Sequence, residues 1–358
     1  MSPINLLIIE DEHTQIQAYE DVIEQHNKKN EYTFVYTICK SFKEGEQALK
    51  TPNYDAAIID LKLSNSNELE GKKLVEAVYQ KIRIPIIIYS GSIAQIDDIQ
   101  ENALLKKKLR TEQLSDILIE IISIYKTGIT GFLRPSGSLD SKLTHIFWNH
   151  LATDLDIWIN HNNPDTLLRY IISHFQEYLD INPVGDFQDY HPSEVYIKPP
   201  IKKNNHTGDI IEFNGKLFLI LTPACDMVFN YKFDEKGTKT PYRKAESILL
   251  APVIDFDYKK CCLNKNGEVN KGKISDFVKN INYRFHYLPP YLNSNGYIID
   301  FQKLTSIDFE EKITTLATIS SPFIKDIISR FSNYYSRQGQ PTFNQDKIVE
   351  ELYNKRKN

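Results

Sequence analysis

The sequence is poor in cysteine. Cys39, Cys225, Cys261 and Cys262 are the only four in 358 residues, too few for a disulfide framework in a chain of this length. Cys261 and Cys262 are adjacent and no C-x-x-C accompanies them, so the usual zinc spacing is missing as well. Long apolar runs are equally scarce. The longest are Leu6–Ile9, Ile84–Tyr89 and Leu217–Leu221, well short of the roughly 18 residues that a membrane helix needs. The opening Met-Ser-Pro-Ile-Asn lacks the basic start and apolar stretch of a signal peptide. Nor is there a surplus of positive charge. Lys and Arg number 43 against 47 Asp and Glu, a formal net charge of -4, which argues against a broadly basic nucleic-acid binder. No internal repeat, helix-turn-helix or Gly-rich phosphate loop is present. The expectation is a soluble, cytoplasmic protein with neither membrane nor nucleic acid among its partners.

What is present is ordinary globular material: 41% hydrophobic and 25% charged residues, enough to bury a core. At roughly 150 residues per domain the length suits two or three domains. The first 126 residues alternate between two periods. Leu6–Ile9, Phe34–Ile38, Tyr54–Asp60 and Ile84–Tyr89 read as strands, with a weak fifth at Leu104-Leu105. Between and after them, Thr14–Gln25, Phe42–Leu49, Gly71–Val78, Asp97–Asn102 and Thr111–Tyr125 read as helices. Strand and helix repeated five times predicts a doubly wound, five-stranded parallel sheet covered on both faces.

Such folds place their chemistry at the carboxyl ends of the strands. Glu10 and Asp11 follow the first strand, Asp60 ends the third, Ser90-Gly91 ends the fourth, and Lys106, Lys107 and Lys108 follow the fifth. Carboxylates converging on one crevice repel unless a cation joins them, and an all-oxygen site of that kind suits magnesium. A hydroxyl and an ammonium group at the same edge can hold phosphoryl oxygens.

Taken together and in this order, residues 4–126 resemble the receiver domain of two-component response regulators, a flavodoxin-like fold. The resemblance implies that Asp60 is the phosphoacceptor. It implies that Glu10, Asp11, Asp60 and the main-chain carbonyl of Lys62 hold Mg2+, and that Ser90 and Gly91 form the switch and phosphate-binding edge. It also implies a phosphate-pairing lysine; counting back from Leu114 favours Lys107 over Lys106 without deciding between them. Three features depart from the family pattern. Lys108 stands where a Pro usually follows the lysine, Leu104 stands where an aromatic switch residue is usual, and the stretch between Asp60 and Gly71 is longer than the common one. The implied partner is a histidine kinase or phosphotransfer protein, with a homodimer left open.

Residues 127–140, rich in Gly, Ser and Thr, read as a linker. Residues 141–182 read as a helical hairpin whose second helix carries His174, a residue with no phosphotransfer motif around it. Residues 183–358 read as an α+β output domain with a small antiparallel sheet or barrel. Within it, Asn214-Gly215 between two apolar runs predicts a hairpin. Cys225 and Asp226, with Asp209 and a histidine such as His206 or His286, are the candidate catalytic groups of this region. A buried, unreactive cysteine is the competing reading. Ser321-Pro322 opens a helix, and a charged helix closes the chain.

The function expected is therefore a phosphorelay response regulator that accepts a phosphoryl group on Asp60 with Mg2+ and switches or buffers a signal through an atypical C-terminal domain. Beyond the receiver's own phosphorylation and dephosphorylation, no enzymatic activity is expected. The alternatives are a phosphate-sink receiver in a bacterial immunity two-component system and a hydrolase-type effector in the C-terminal region under receiver control.

Overall fold

The structure is a computed structural model. It describes residues 3–49, 54–63, 83–93, 96–133, 137–159, 163–180, 184–186, 189–233, 238–291, 293, 295–337 and 344–355. The chain divides into two compact units, Met1–Gln188 and Asp189–Asn358. Among the described residues no helix is long and apolar enough to cross a membrane.

The first unit opens with five strands: β1 (Ile4–Ile9), β2 (Phe34–Cys39), β3 (Ala56–Ile59), β4 (Ile86–Ser90) and β5 (Leu105–Leu109). All pair in parallel, in the order β2-β1-β3-β4-β5. This is the flavodoxin-like strand order, with the crevice between β1 and β3 as its switch point. The central strands are apolar on both sides because both sides are covered. Along β1, Leu7 and Ile9 enter one core with Phe42, Ile59 and Ile88. Ile4, Leu6 and Ile8 enter the other with Tyr19, Ile23, Leu118 and Ile121. Helix α1 (His13–Lys29) and helix α3 (Leu114–Tyr125) supply that second layer, and helix α2 (Phe42–Ala48) belongs to the first. Ser41 caps α2 by accepting a hydrogen bond from the Glu44 N–H at 3.2 Å, the arrangement that satisfies one of the free amides of a helix start.

Two of the expected elements differ. Residues 97–102 form a turn rather than a helix, held by the Ile96 and Ile99 amides bonding back to Ile93 and Ile96. The fifth strand is Leu105–Leu109 rather than Leu104-Leu105, so Lys106, Lys107 and Lys108 lie inside it. An edge strand tolerates such charge, because Lys can lay its alkyl stem along the sheet while its ammonium group stays polar-bonded. The helix expected at Gly71–Val78 and most of the long stretch between Asp60 and Gly71 lie outside the described residues.

The rest of this unit is helical. Ile129–Leu133 is a short helix inside the segment expected as linker, and it is followed by Ser138–Ile146, a π-turn at Phe147–Leu151, Leu155–Ile159 and the long Pro164–Asp180.

The second unit is built on an antiparallel sheet. Its strands are β6 (Tyr196–Ile197), β7 (Asp209–Phe213), β8 (Lys216–Ile220), β11 (Ile248–Asp255), β12 (Phe285–Leu288), β13 (Tyr297–Asp300), β14 (Thr305–Ile307) and β15 (Thr314–Ile319). A separate ribbon pairs β9 (Asn230–Phe233) with β10 (Lys239–Tyr242). The sheet runs β12-β13-β11-β8-β7-β15-β6, with β14 beside β11. β7 and β8 form the hairpin, with Phe213 opposite Lys216. Asn214 and Gly215 both have positive φ, 51° and 70°, as a two-residue turn matched to strand twist requires. The helix Ser321–Ser336 packs Phe323, Ile324, Ile327, Ile328 and Phe331 on a core that includes Leu219, Ile299, Phe301 and Ile319.

Candidate functional site

The acidic crevice forms at the carboxyl edge of the parallel sheet. Glu10 directly follows β1, Asp60 directly follows β3 and Ser90 ends β4; all three are buried. Backbone bonds hold the two carboxylate-bearing residues in place: the Asp60 N–H donates to the Ile9 carbonyl at 2.9 Å and the Glu10 N–H to Cys39 at 3.0 Å.

The cation that meets these carboxylates is Arg110, the first residue after β5. Its Nη2 donates to Asp60 Oδ2 at 2.8 Å and also to Glu10 Oε2. Its Nη1 donates to Glu12 Oε2 at 3.1 Å. The turn that carries Arg110 is pinned from below. The Tyr89 hydroxyl donates to the Glu112 carbonyl at 2.8 Å, the Arg110 N–H donates to the Ser90 carbonyl at 3.1 Å, and Lys108 pairs with Glu112 at 3.0 Å.

The three lysines are occupied elsewhere. Lys107 Nζ donates to the Ile96 carbonyl at 2.6 Å, Lys106 pairs with Glu120 at 3.2 Å, and Lys108 pairs with Glu112 as above. The expected pairing of Lys107 with the phosphoacceptor is therefore not the arrangement found. The strand runs to Leu109, so the position that leaves the sheet toward the crevice is Arg110. The readable signal was strand length: β4 spans five residues, and a β5 of equal length ends at Leu109.

Burial governs the electrostatics. Desolvation pushes the Glu10 carboxyl up to about 7, against the opposing pull of the Glu12 N–H and Arg110, with Asp60 and Asp11 adding to the rise. Burial also costs the Arg110 guanidinium, but Asp60 and Glu10 more than offset it and hold the cation charged. Glu12 is lowered by its Thr14 and Arg110 hydrogen bonds.

Among the described residues no three His, Cys, Asp or Glu side chains form a metal-holding group. Magnesium needs less than that: it keeps several waters and is held by one or two protein carboxylates with phosphate oxygens. Asp60 Oδ1 is buried and has no hydrogen-bond partner, which is the kind of oxygen a hard cation takes. Asp60 and Glu10 thus fit the ion, with Asp11 and the Lys62 carbonyl beside them in sequence. Arg110 already holds Asp60 Oδ2 and Glu10 Oε2, so guanidinium and metal would share one acidic crevice as competing positive charges. Gly91, at the end of β4, has open space where a Cβ would stand.

The C-terminal candidates are dispersed in role. Cys225 is exposed on the one-turn helix Ala224–Met227, and its thiol meets Asp226 Oδ1 at 3.5 Å rather than a histidine. Asp209 is buried and structural in its bonding: Oδ1 accepts from Thr318 Oγ1 and Oδ2 from the His206 N–H, both at 2.6 Å. Burial raises its carboxyl, and those two donors partly offset the rise. His286 is buried on β12, with Asp326 3.8 Å from its Nδ1. His174 lies in an aromatic group on the helix Pro164–Asp180, its ring 4.1 Å from that of Tyr170 and 4.8 Å from that of His150.

No family model matches the chain, and no curated protein matches it. Solved structures are similar over its first third. A response regulator receiver domain (CheY-like) from Methylobacillus flagellatus is 20% identical, over 34% of this chain and 99% of that one, with a TM-score of 0.27. The signal receiver domain of an HD domain-containing protein from Pseudomonas fluorescens Pf-5 is 14% identical, over 35% and 97%, with a TM-score of 0.29. A CheY-like receiver domain protein from Methanospirillum hungatei JF-1 is 18% identical, over 35% and 96%, with a TM-score of 0.29. The assignment of fold rests on the sheet itself: a parallel β2-β1-β3-β4-β5 order with acidic groups at its carboxyl edge is the receiver-type, flavodoxin-like arrangement.

Proposed function

We propose that residues 4–126 act as a receiver that accepts a phosphoryl group on Asp60 from a histidine kinase or phosphotransfer protein, and that residues 141–358 carry or buffer the resulting signal. The single observation behind this reading is Asp60: a buried carboxylate at the end of β3, one oxygen without a partner and the other facing Arg110. One Asp60 oxygen would attack phosphorus while the other stays with the cation that neutralises the site. Ser90, at the end of β4, supplies a hydroxyl that donates a hydrogen bond to a phosphoryl oxygen and orients it. Arg110 supplies the positive charge that pairs with another, in the place where the resemblance implies a lysine. A guanidinium offers a planar fork of donors for that purpose. Magnesium, when bound by Glu10, Asp11, Asp60 and the Lys62 carbonyl, would neutralise charge on the carboxylate and the incoming phosphoryl group.

The test is intact mass after incubation with magnesium and a small phosphodonor such as phosphoramidate, wild type beside Asp60→Ala. A phosphate adduct confined to the wild type supports the reading. One observation favours a second reading, a docking module that never turns over: Arg110 satisfies Asp60 and Glu10 from within the chain. Absence of the adduct, with a small donor and with a kinase, would decide for that module.

A further inference from the structure

A cavity of about 590 Å³ lies in the second unit, between the loop that precedes β7 and the helix Ser321–Ser336. That volume is in the range of small-molecule sites, which are apolar with a few placed polar groups. The apolar wall comes from Ile197, Ile201, Ile324 and Ile328. The approach of strand and helix depends on Gly208, which has φ +89° and would place a Cβ 2.9 Å from Ile324 Cγ1.

The charged groups of this wall have one sign. Lys202 and Lys325 both line the cavity, with His206, Thr207 and Ser321 beside them, and no Asp or Glu does. Neither lysine forms an ion pair within 4 Å among the described residues, both are exposed, and Lys202 is near enough to Asp209 to pull its carboxyl down. The one buried acid nearby, Asp209, spends both oxygens on Thr318 and the His206 amide. Asp326 follows Lys325 in sequence but turns to a different cavity, the one lined by His286 and Phe323. The helix therefore offers a cationic, apolar face to one cavity and its acid to another. Two exposed ammonium groups beside Ile197, Ile324 and Ile328, with Ile201 81% exposed at the mouth, suit a ligand with one anionic end and one greasy end.

We propose that this cavity is a binding site for a small amphiphilic anion, a carboxylate or phosphate monoester carrying an apolar body, held by Lys202 and Lys325 with its body on Ile201, Ile324 and Ile328.

The full-length chain, labelled at isoleucine methyl groups, is titrated by NMR with octanoate, octyl phosphate, 1-octanol and inorganic phosphate. The two octyl anions should shift the methyls of Ile201, Ile324 and Ile328. 1-Octanol and inorganic phosphate, which each lack one half of the ligand, should bind about tenfold more weakly. The double variant Lys202→Ala/Lys325→Ala should lose about tenfold in affinity for the anions and nothing for 1-octanol. The ratio of octanoate to octyl phosphate affinity names the head group. Equal binding of 1-octanol and the anions, an unchanged double variant, shifts confined to other isoleucines, or no shift at millimolar probe each overturn the proposal.

Discussion

Arg110 Nη2 lies 2.8 Å from Asp60 Oδ2, although 50 residues of chain separate the two. The contact joins the edge strand of the parallel sheet to its central acidic crevice. It puts a permanent cation, from the protein itself, beside the carboxylate proposed to accept phosphate. Two properties follow from the same geometry. The crevice is electrostatically tolerable without a metal, and a metal that enters it meets a guanidinium that already holds two of its oxygens.

Arg110→Ala should therefore destabilise the metal-free protein by about 2–4 kcal/mol, because it strands two buried carboxylates. Magnesium should restore part of that loss and should bind the variant more tightly than the wild type, since the competitor is gone. Urea unfolding with and without magnesium reads both effects. A variant as stable as wild type, or one that magnesium stabilises no better, would show that Arg110 is not the counter-ion of the crevice.

Much of this was legible in the sequence, and the reasons are physical. Apolar runs such as Leu6–Ile9 have only one comfortable place in a globular fold, the middle of a doubly covered sheet. Once the alternation of strand and helix is clear, the carboxyl edge and its Glu10, Asp60 and Ser90 follow from topology. Asn214-Gly215 gave away its hairpin through local backbone conformation. Arg110 was hidden because three lysines occupy an edge strand, where periodicity is blurred by side chains that are apolar along the stem and charged at the tip. The role of Asp209 depends on a partner far along the chain, Thr318, which spacing does not encode.

In the second unit, Arg284 makes two parallel hydrogen bonds to Asp300, at 2.8 and 2.7 Å. Burial pushes the Asp300 carboxyl up, but the guanidinium and the Gln302 N–H more than offset this and leave it below its ordinary range. A carboxyl lowered in the folded state stabilises the fold above its unfolded pKa, and the benefit is lost as pH falls through the folded value. Arg284→Met should cost about 2–3 kcal/mol at neutral pH, after allowance for the partly exposed arginine, and the gap to wild type should close in acid. A gap unchanged between neutral pH and pH about 3 would contradict this.

Gly208 tests backbone and packing together. An alanine there pays for positive φ and for the contact with Ile324 Cγ1, together about 2–4 kcal/mol. In the double variant Gly208→Ala/Ile324→Ala the steric part should vanish while the conformational part persists. The penalty of the glycine change, measured by urea unfolding, should thus be smaller in the Ile324→Ala background than in the wild type. Equal penalties in the two backgrounds would remove the steric argument.

His286 sets an acid limit on the second unit. It is only 6% exposed, and its Nδ1 has no hydrogen-bond partner. Burial, with the Arg330 charge beside it, drives the imidazole down to about 3 from its ordinary 6.5. Asp326, the other charged group facing it, stands 3.8 Å away in an exposed position and is too well solvated to reverse that shift. Between those two pH values the unfolded chain takes up a proton that the native chain refuses. Stability is therefore whole above about 6.5 and falls on acidification toward about 3, by as much as roughly 1.4 kcal/mol per pH unit. His286→Gln lacks this proton, so the wild-type and variant curves of unfolding free energy against pH should run parallel above neutrality and diverge below it, the wild type falling more steeply. Curves that stay parallel down to pH about 4 would mean that the imidazole is protonated in the native state.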